Sequence, residues 1–206
     1  PAAPAVGQFT AVAPPAELTR QLPESVKLDA VVATADFDRD GQLDRFVGGR
    51  AQPGEFSRIP RSALYMNRSG NWDDVTDSVA PGLREIGMVK AALWSDVDGD
   101  GWPDLLVALD WGPVKYFHNH EGHTFEDWTE KARFAAAGTG WWTSLATADF
   151  NGDDRPDYVV GNTGLNTQYR ASPEHPALLF SGKFPGSGDP LVIEGYYEGD
   201  RLFSWR

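Results

Sequence analysis

One acidic nine-residue pattern occurs three times in this chain, and a repeated unit constrains a fold more tightly than any single motif. The copies are Asp36-Phe37-Asp38-Arg39-Asp40-Gly41-Gln42-Leu43-Asp44, Asp96-Val97-Asp98-Gly99-Asp100-Gly101-Trp102-Pro103-Asp104 and Asp149-Phe150-Asn151-Gly152-Asp153-Asp154-Arg155-Pro156-Asp157. Each puts side-chain oxygens at loop positions 1, 3, 5 and 9, a spacing that wraps a short loop around one hard cation, and an all-oxygen loop of this kind selects calcium over magnesium. The expected side-chain ligands are Asp36, Asp38, Asp40 and Asp44, then Asp96, Asp98, Asp100 and Asp104, then Asp149, Asn151, Asp153 and Asp157. The backbone carbonyls of Gln42, Trp102 and Arg155, at position 7, complete the three Ca²⁺ sites. Gly41 and Gly101 suit a positive φ at position 6, and Asp154 holds that place in the third copy, where an Asp tolerates left-handed backbone better than most residues. The third copy has three carboxylates where the others have four, so it is expected to bind weakest.

An EF-hand needs a bidentate Glu at position 12 and helices on both sides. Position 12 here is Val47, Val107 and Val160. The flanks (Ala30 to Ala35 and Arg45 to Gly49 around the first loop, with counterparts around the others) are short, apolar and bounded by Gly or Asp, as buried strands are. Each copy therefore reads as strand, loop, strand. A second repeated unit follows: Tyr65-Met66-Asn67-Arg68-Ser69-Gly70-Asn71-Trp72 aligns with Phe117-His118-Asn119-His120-Glu121-Gly122-His123-Thr124-Phe125. Its Asn and Gly three apart mark a tight hairpin. Four strands per period make a propeller blade.

The period runs from Asp36 to Asp96 and from Asp96 to Asp149, 60 and 53 residues. A degenerate fourth copy at Lys183 to Leu191 has lost its ligands and is not expected to bind calcium. Gly7 to Val12 aligns with Gly70 to Val75, so the chain is expected to start inside a blade. The division reads as 1–29, end of a preceding blade plus linker; 30–80, 81–135 and 136–176, blades with loops 1, 2 and 3; and 177–206, a partial blade. Tyr196 to Phe203 reads as a hairpin. Three to four blades are fewer than closure needs, which points to a longer chain or to edges paired with another copy.

Composition agrees. Gly and Pro together are about 18% of the chain, which favours short elements and turns. The net charge of −12 excludes a nucleic-acid partner, and eleven Asp at the ligand positions account for much of it. There is no apolar run of the roughly 18 residues that a membrane helix needs. Pro1 to Ala5 reads as a linker or the stub of signal cleavage. With no Cys, disulfides argue neither way about compartment.

Other constellations have plainer readings beside them. His118, His120 and His123 could make a zinc or copper site, but Met66 and Arg68 occupy the first two places in the sister repeat, so exposed turn residues are the expectation. The recurrent Trp residues read as packing between blades, with Trp102 and Trp111 having the best claim to exposure. The long loop from Gly161 to Pro176 is the candidate ligand surface, through Asn162, Asn166, Gln168, Tyr169 and Arg170, against the plainer reading of a connection that pins the next blade. No nucleophile and base pair, phosphate loop or zinc motif appears, so no catalytic residue is assigned.

The loops between strands resemble the FG-GAP/VCBS repeats of integrin-α-type propellers. The set Phe46 to Arg50, Ala80 to Leu83, Gly87 to Asp96, Gly140 to Trp142 and Gly161 to Glu174 is more similar to bacterial VCBS-repeat proteins of the ASPIC/UnbV, cartilage acidic protein-like type. The resemblance implies an all-β, calcium-stabilised propeller, part of a larger, about seven-bladed propeller or assembly, and secreted, cell-surface or periplasmic. It implies a scaffold for protein or glycan recognition. The alternatives are a structural subunit of a larger complex, or a propeller lyase or hydrolase or its accessory domain.

Overall fold

The computed structural model describes residues 30–51, 59–164, 166–167, 169–183 and 191–205. The Gly7 to Val12 segment, Gln168 and most of the degenerate fourth loop lie outside the described residues, as does the whole of 1–29. Strands follow the chain as β1 (Ala30–Ala35), β2 (Asp44–Gly49), β3 (Ala63–Arg68), β4 (Asn71–Asp74), β5 (Met88–Ser95), β6 (Asp104–Gly112), β7 (Val114–His120), β8 (Thr124–Asp127), β9 (Gly140–Ala148), β10 (Asp157–Asn162), β11 (Leu178–Gly182), β12 (Leu191–Glu198) and β13 (Arg201–Trp205). One four-residue helix, α1 (Thr76–Val79), and two short 3-10 turns are the remaining regular elements among the described residues. The fold is all-β.

Each acidic loop joins two strands that pair with one another, as the flanking sequence requires. Ala35 lies opposite Asp44, Ser95 opposite Asp104 and Ala148 opposite Asp157, all antiparallel. The first sheet runs β1-β2-β3-β4, and β5 to β8 repeat that meander around β6 and β7. The second strand of each meander is flanked on both sides, so its apolar run is buried without alternation: Arg45 to Gly49 throughout, and Leu105 to Leu109. The expected hairpins form. Arg68 pairs with Asn71 across Ser69 and Gly70, both at positive φ (54° and 91°), and Glu121 and Gly122 repeat this (51° and 77°).

Successive meanders stack through their first strands. β5 packs against β1 and β2 on one side and β9 on the other, and β9 hydrogen-bonds the far end of β6, pairing Trp141 with Asp110. That bond joins β9 and β10 to β5–β8 in one six-stranded sheet, while first strands lying side by side follow the way blades turn about an axis. One core cluster fills the space between the first two sheets, with Phe37, Phe46, Leu64, Leu83, Val89, Leu105, Val107, Phe117 and Phe125 buried together. Trp94 lies on Phe37 with ring centroids 6.1 Å apart, a packing role of the kind its periodicity suggested.

The third period departs from the four-strand expectation. After β10 no strand occurs among the described residues until β11, because Gly164, Pro173 and Pro176 interrupt the intervening segment and no Asn-x-x-Gly unit is present. β11, β12 and β13 form a separate three-stranded sheet whose final hairpin turns at Gly199 (φ 58°). No helix among the described residues is long and apolar enough to cross a membrane.

The second hairpin reaches across to the first acidic loop. The Asn119 side-chain NH₂ donates to the Phe37 carbonyl at 2.9 Å. A Cβ on Gly122 would stand 2.7 Å from the Asp38 Cα. Gly122 also has φ 77°. Gly122→Ala is therefore expected to cost roughly 1–3 kcal/mol, from left-handed strain plus a backbone clash that cannot relax by side-chain rotation. Urea unfolding with and without calcium would check it, and a change within 0.5 kcal/mol, about the scatter of a neutral surface substitution, would count against the close approach.

Candidate metal centres

All three acidic loops fold on one hydrogen-bond frame. The position-1 carboxylate accepts the position-6 N–H at 2.9 Å in each copy: Gly41 to Asp36, Gly101 to Asp96, Asp154 to Asp149. Position 3 accepts the position-5 N–H, at 3.2 Å for Asp38 and Asp98 and 2.9 Å for Asn151. Position 5 accepts the position-7 N–H at 2.8, 2.8 and 2.9 Å for Asp40, Asp100 and Asp153. Position 9 accepts the position-2 N–H, so Asp44, Asp104 and Asp157 hold Phe37, Val97 and Phe150 at 3.2, 2.9 and 2.9 Å. These side-chain to backbone turns curl the loop and aim its remaining lone pairs inward.

Backbone geometry repeats too. Position 6 is left-handed in Gly41 (87°), Gly101 (92°) and Asp154 (62°), as the sequence suggested. Position 4 is left-handed as well, in Arg39 (58°), Gly99 (80°) and Gly152 (79°). The Gly at that place in copies two and three was the signal, masked by Arg39 in the first.

The loops bring Asp36, Asp38 and Asp40 together, and likewise Asp96, Asp98 and Asp100, with carboxylate oxygens within 4.8 Å of one another. Negative charge at that density could hold a cation, and an observation in the first loop supports one. Asp36 Oδ1 is buried with no hydrogen-bond partner, the state of a lone pair reserved for a cation. The donor set, all oxygen, fits calcium. A bound ion would supply positive charge that ties the loop's two strands, and Asp36, Asp38 and Asp40 would hold it in the first copy.

Position 9 is built differently from positions 3 and 5. Asp44 and Asp104 are fully buried, and their second oxygens take the Asn67 and Asn119 N–H groups at 2.8 Å. Each thus pins loop, strand and hairpin at once. The hairpin Asn in turn accepts its own turn's Gly N–H and donates to the position-8 carbonyl. Sequence reading identified Asn67 and Asn119 as turn residues and missed this second role. Asp157 has only partial burial, Phe150 is 62% exposed where Phe37 is fully buried, and the loop's position-3 residue is the amide Asn151.

Burial pushes the Asp44 carboxyl up to about 6, and Asp104 and Asp38 move in the same direction for the same reason. Raised carboxyls bind protons more readily folded than unfolded, so they oppose stability as pH rises from about 4 to about 6. Asp74 and Asp127, held below the usual range by Arg84 and Lys115, contribute stability that is lost only as pH falls below about 4. Metal-free protein is therefore expected to gain about 1 kcal/mol from Asp44 between pH 7 and pH 5, with Asp104 and Asp38 adding in the same direction, and to lose stability steeply below about pH 4. Urea midpoints in chelator across that range check the sign, and a midpoint that falls steadily from pH 7 to 5 would contradict it.

In the candidate ligand loop Asn162, Asn166 and Arg170 are exposed while Tyr169 turns inward. Tyr169 is buried, its hydroxyl donates to Glu194 on β12, and its ring lies between Trp141 and Tyr196 at 5.4 and 5.9 Å. Arg170 donates to the Thr167 and Tyr169 carbonyls at 2.8 and 3.2 Å. Asn162 caps the turn at Gly164, and Asn166 is exposed. Tyr169 thus ties the connection to the next sheet, and a shallow depression beside it is lined by Arg170, His175, Tyr196 and Tyr197. Trp102 and Trp111 are part-buried rather than exposed: Trp102 lies under the Arg39 guanidinium at 4.5 Å and Trp111 meets Trp141 at 4.9 Å. The histidines divide. His123 is exposed as expected for a turn, His120 is half-buried against Glu126, and His118 is buried. Its rung of β7 points at the second loop instead of at solvent.

Fold and loops together define a class: an all-β repeat chain whose acidic, metal-competent loops join paired strands of a propeller-type arrangement. Comparison with known proteins agrees, since residues 96–160 match the FG-GAP-like repeat family. The chain is also similar to phosphatidylinositol-glycan-specific phospholipase D of Bos taurus, 27% identical over an alignment 206 positions long that takes in 87% of this chain and 24% of that protein. The chain thus spans about a quarter of the relative's length.

Proposed function

We propose that this chain is a calcium-stabilised recognition scaffold, a set of FG-GAP-type propeller blades, three of them carrying Ca²⁺, that acts outside the cytoplasm on a protein or glycan surface. The observation that carries it is the common loop frame, with carboxylates clustered at positions 1, 3 and 5 in the first two copies and the buried Asp36 oxygen without a hydrogen-bond partner. The FG-GAP-like match supports the propeller, and the similarity to a much longer relative supports a place within a larger propeller or assembly. Millimolar calcium outside cells suits the roughly 10⁻⁴ to 10⁻³ M affinities of extracellular modules. Each strand-loop-strand unit then supplies the inner half of one blade, and the aromatic and polar surface around β9 to β12 is available to a partner. The phospholipase activity named for the relative belongs to that whole protein, and we assign this chain the scaffold part alone.

Calcium titration by calorimetry is expected to find three ions, the third loop weakest because it carries one carboxylate fewer and is the most exposed. Asp149→Ala removes the weakest phase and Asp98→Ala a stronger one. Absence of any saturable calcium heat would overturn the metal assignment. Glycan-array and cross-linking capture in calcium and in chelator tests recognition; a surface that binds nothing in a calcium-dependent way would remove the scaffold reading.

A further inference from the structure

We infer that the second loop also holds a borderline divalent cation, zinc above all, through His118, Asp98 and Asp104, a choice the first loop lacks. The His118 Nδ1 lies 3.3 Å from Asp98 Oδ2 and 3.3 Å from Asp104 Oδ1, and the three donor atoms fall within 4.8 Å of one another. Charge-assisted hydrogen bonds run shorter, about 2.7–2.9 Å, and a single Nδ1–H cannot be aimed at two carboxylates at once. Donors on a tetrahedral zinc at about 2.0–2.1 Å, by contrast, stand roughly 3.3–3.4 Å apart. The distances around Nδ1 are edges of such a site.

The surroundings orient the donors. The imidazole lies flat on Trp128, centroids 3.8 Å apart at 19°, with the His120 edge at 4.5 Å. The side chain is 7% exposed. The Tyr116 hydroxyl donates to Asp104 Oδ2 at 3.0 Å and the Asn119 N–H to Oδ1 at 2.8 Å, which fixes the carboxylate as outer partners fix metal ligands.

The repeat supplies its own control. Thr76 and Thr129 hold Leu64 and Tyr116 by the same N–H to hydroxyl bond, and Met66 and His118 occupy the same hairpin rung, opposite Asp73 and Glu126. The trio Leu64, Met66 and Val75, packed into the apolar core, becomes Tyr116, His118 and Trp128 in the second copy. One polar cluster thus replaces an apolar one at the face that meets the loop. Imidazole suits zinc, and calcium gains nothing from nitrogen. The site shares Asp98 with the calcium group, so zinc excludes calcium from loop 2 and leaves loops 1 and 3 alone. The inference rests on the loop geometry and not on calcium being bound.

The test is calorimetric titration of the intact chain with Zn²⁺, and visible absorption of its Co²⁺ form. Wild type is expected to take one zinc per chain and to lose one calcium when it does. His118→Met, which installs the residue the first repeat tolerates, and His118→Gln should each weaken zinc by at least about 100-fold, beyond the 10–100-fold of an outer partner, with calcium stoichiometry unchanged. His123→Gln should leave zinc binding intact. Zinc affinity equal in wild type and both His118 variants, or no saturable zinc at all, overturns the inference. Zinc bound in a chain that shows no calcium response leaves it standing and removes the calcium reading instead.

Discussion

Chelating calcium from the intact chain is expected to lower its melting temperature by roughly 10–30 °C from the value in 10 mM calcium. The argument is mass action. An ion that binds only the folded state stabilises it by RT ln(1 + [Ca²⁺]/Kd), and with affinities around 10⁻⁴ to 10⁻³ M each site contributes about 1.4–2.7 kcal/mol. Three sites make roughly 4–8 kcal/mol, comparable to the whole stability of an ordinary domain, and each kcal/mol moves the midpoint of a chain this size by about 2–4 °C. The electrostatics of the empty loops point the same way. Asp36, Asp38 and Asp40 crowd within 4.8 Å and the nearby Asp38 carboxyl is already pushed up by burial and by its two neighbours. Scanning calorimetry in calcium, magnesium and chelator measures the effect. Magnesium should recover little of it, since a small octahedral ion dehydrates reluctantly and fits a curled all-carboxylate loop poorly. An unchanged midpoint in chelator would remove the three sites together.

Much of this was legible in the residues because the signals were local and repeated. The loop pattern, the strand flanks and the Asn-x-x-Gly hairpins each rest on a few adjacent residues, and three copies check one another. The all-β architecture followed from the same spacing. What sequence could not place were contacts between distant segments. Asn119 reaching Phe37, Gly122 pressed on Asp38, and Tyr169 drawn under β12 all depend on how sheets meet. His118 was read as a turn residue because its sister is Met66, yet that same substitution is what changes the chemistry of the loop it faces. The Asn, Gly and Pro content of the long connection after β10 fits either a ligand loop or a tether, and sequence alone does not show that Tyr169 turns inward while Asn162, Asn166 and Arg170 stay exposed.

The sharpest separation between structure and ligation lies within one loop, between Asp104 and Asp100. Asp104 is fully buried and accepts from the Val97 and Asn119 N–H groups and the Tyr116 hydroxyl. Asp104→Ala strands all three donors in the interior, each at about 1–3 kcal/mol, so a loss of roughly 3–9 kcal/mol is expected even in chelator. Asp100 is exposed and accepts one N–H, from Trp102. Asp100→Ala should cost under about 1 kcal/mol without metal and remove the calcium of loop 2, so its penalty appears only in calcium. Asp104→Asn keeps one acceptor oxygen and should fall between them. Urea unfolding of the three variants, with and without calcium, reads both roles in one experiment. If Asp104→Ala and Asp100→Ala were equally mild in chelator, position 9 would be a ligand and nothing more. If both were equally severe there, the loop would be a hydrogen-bonded turn whose stability owes nothing to an ion. The frame of the first two copies predicts the split instead: position 9 anchors the loop to strand and hairpin, and positions 1, 3 and 5 crowd where calcium would sit.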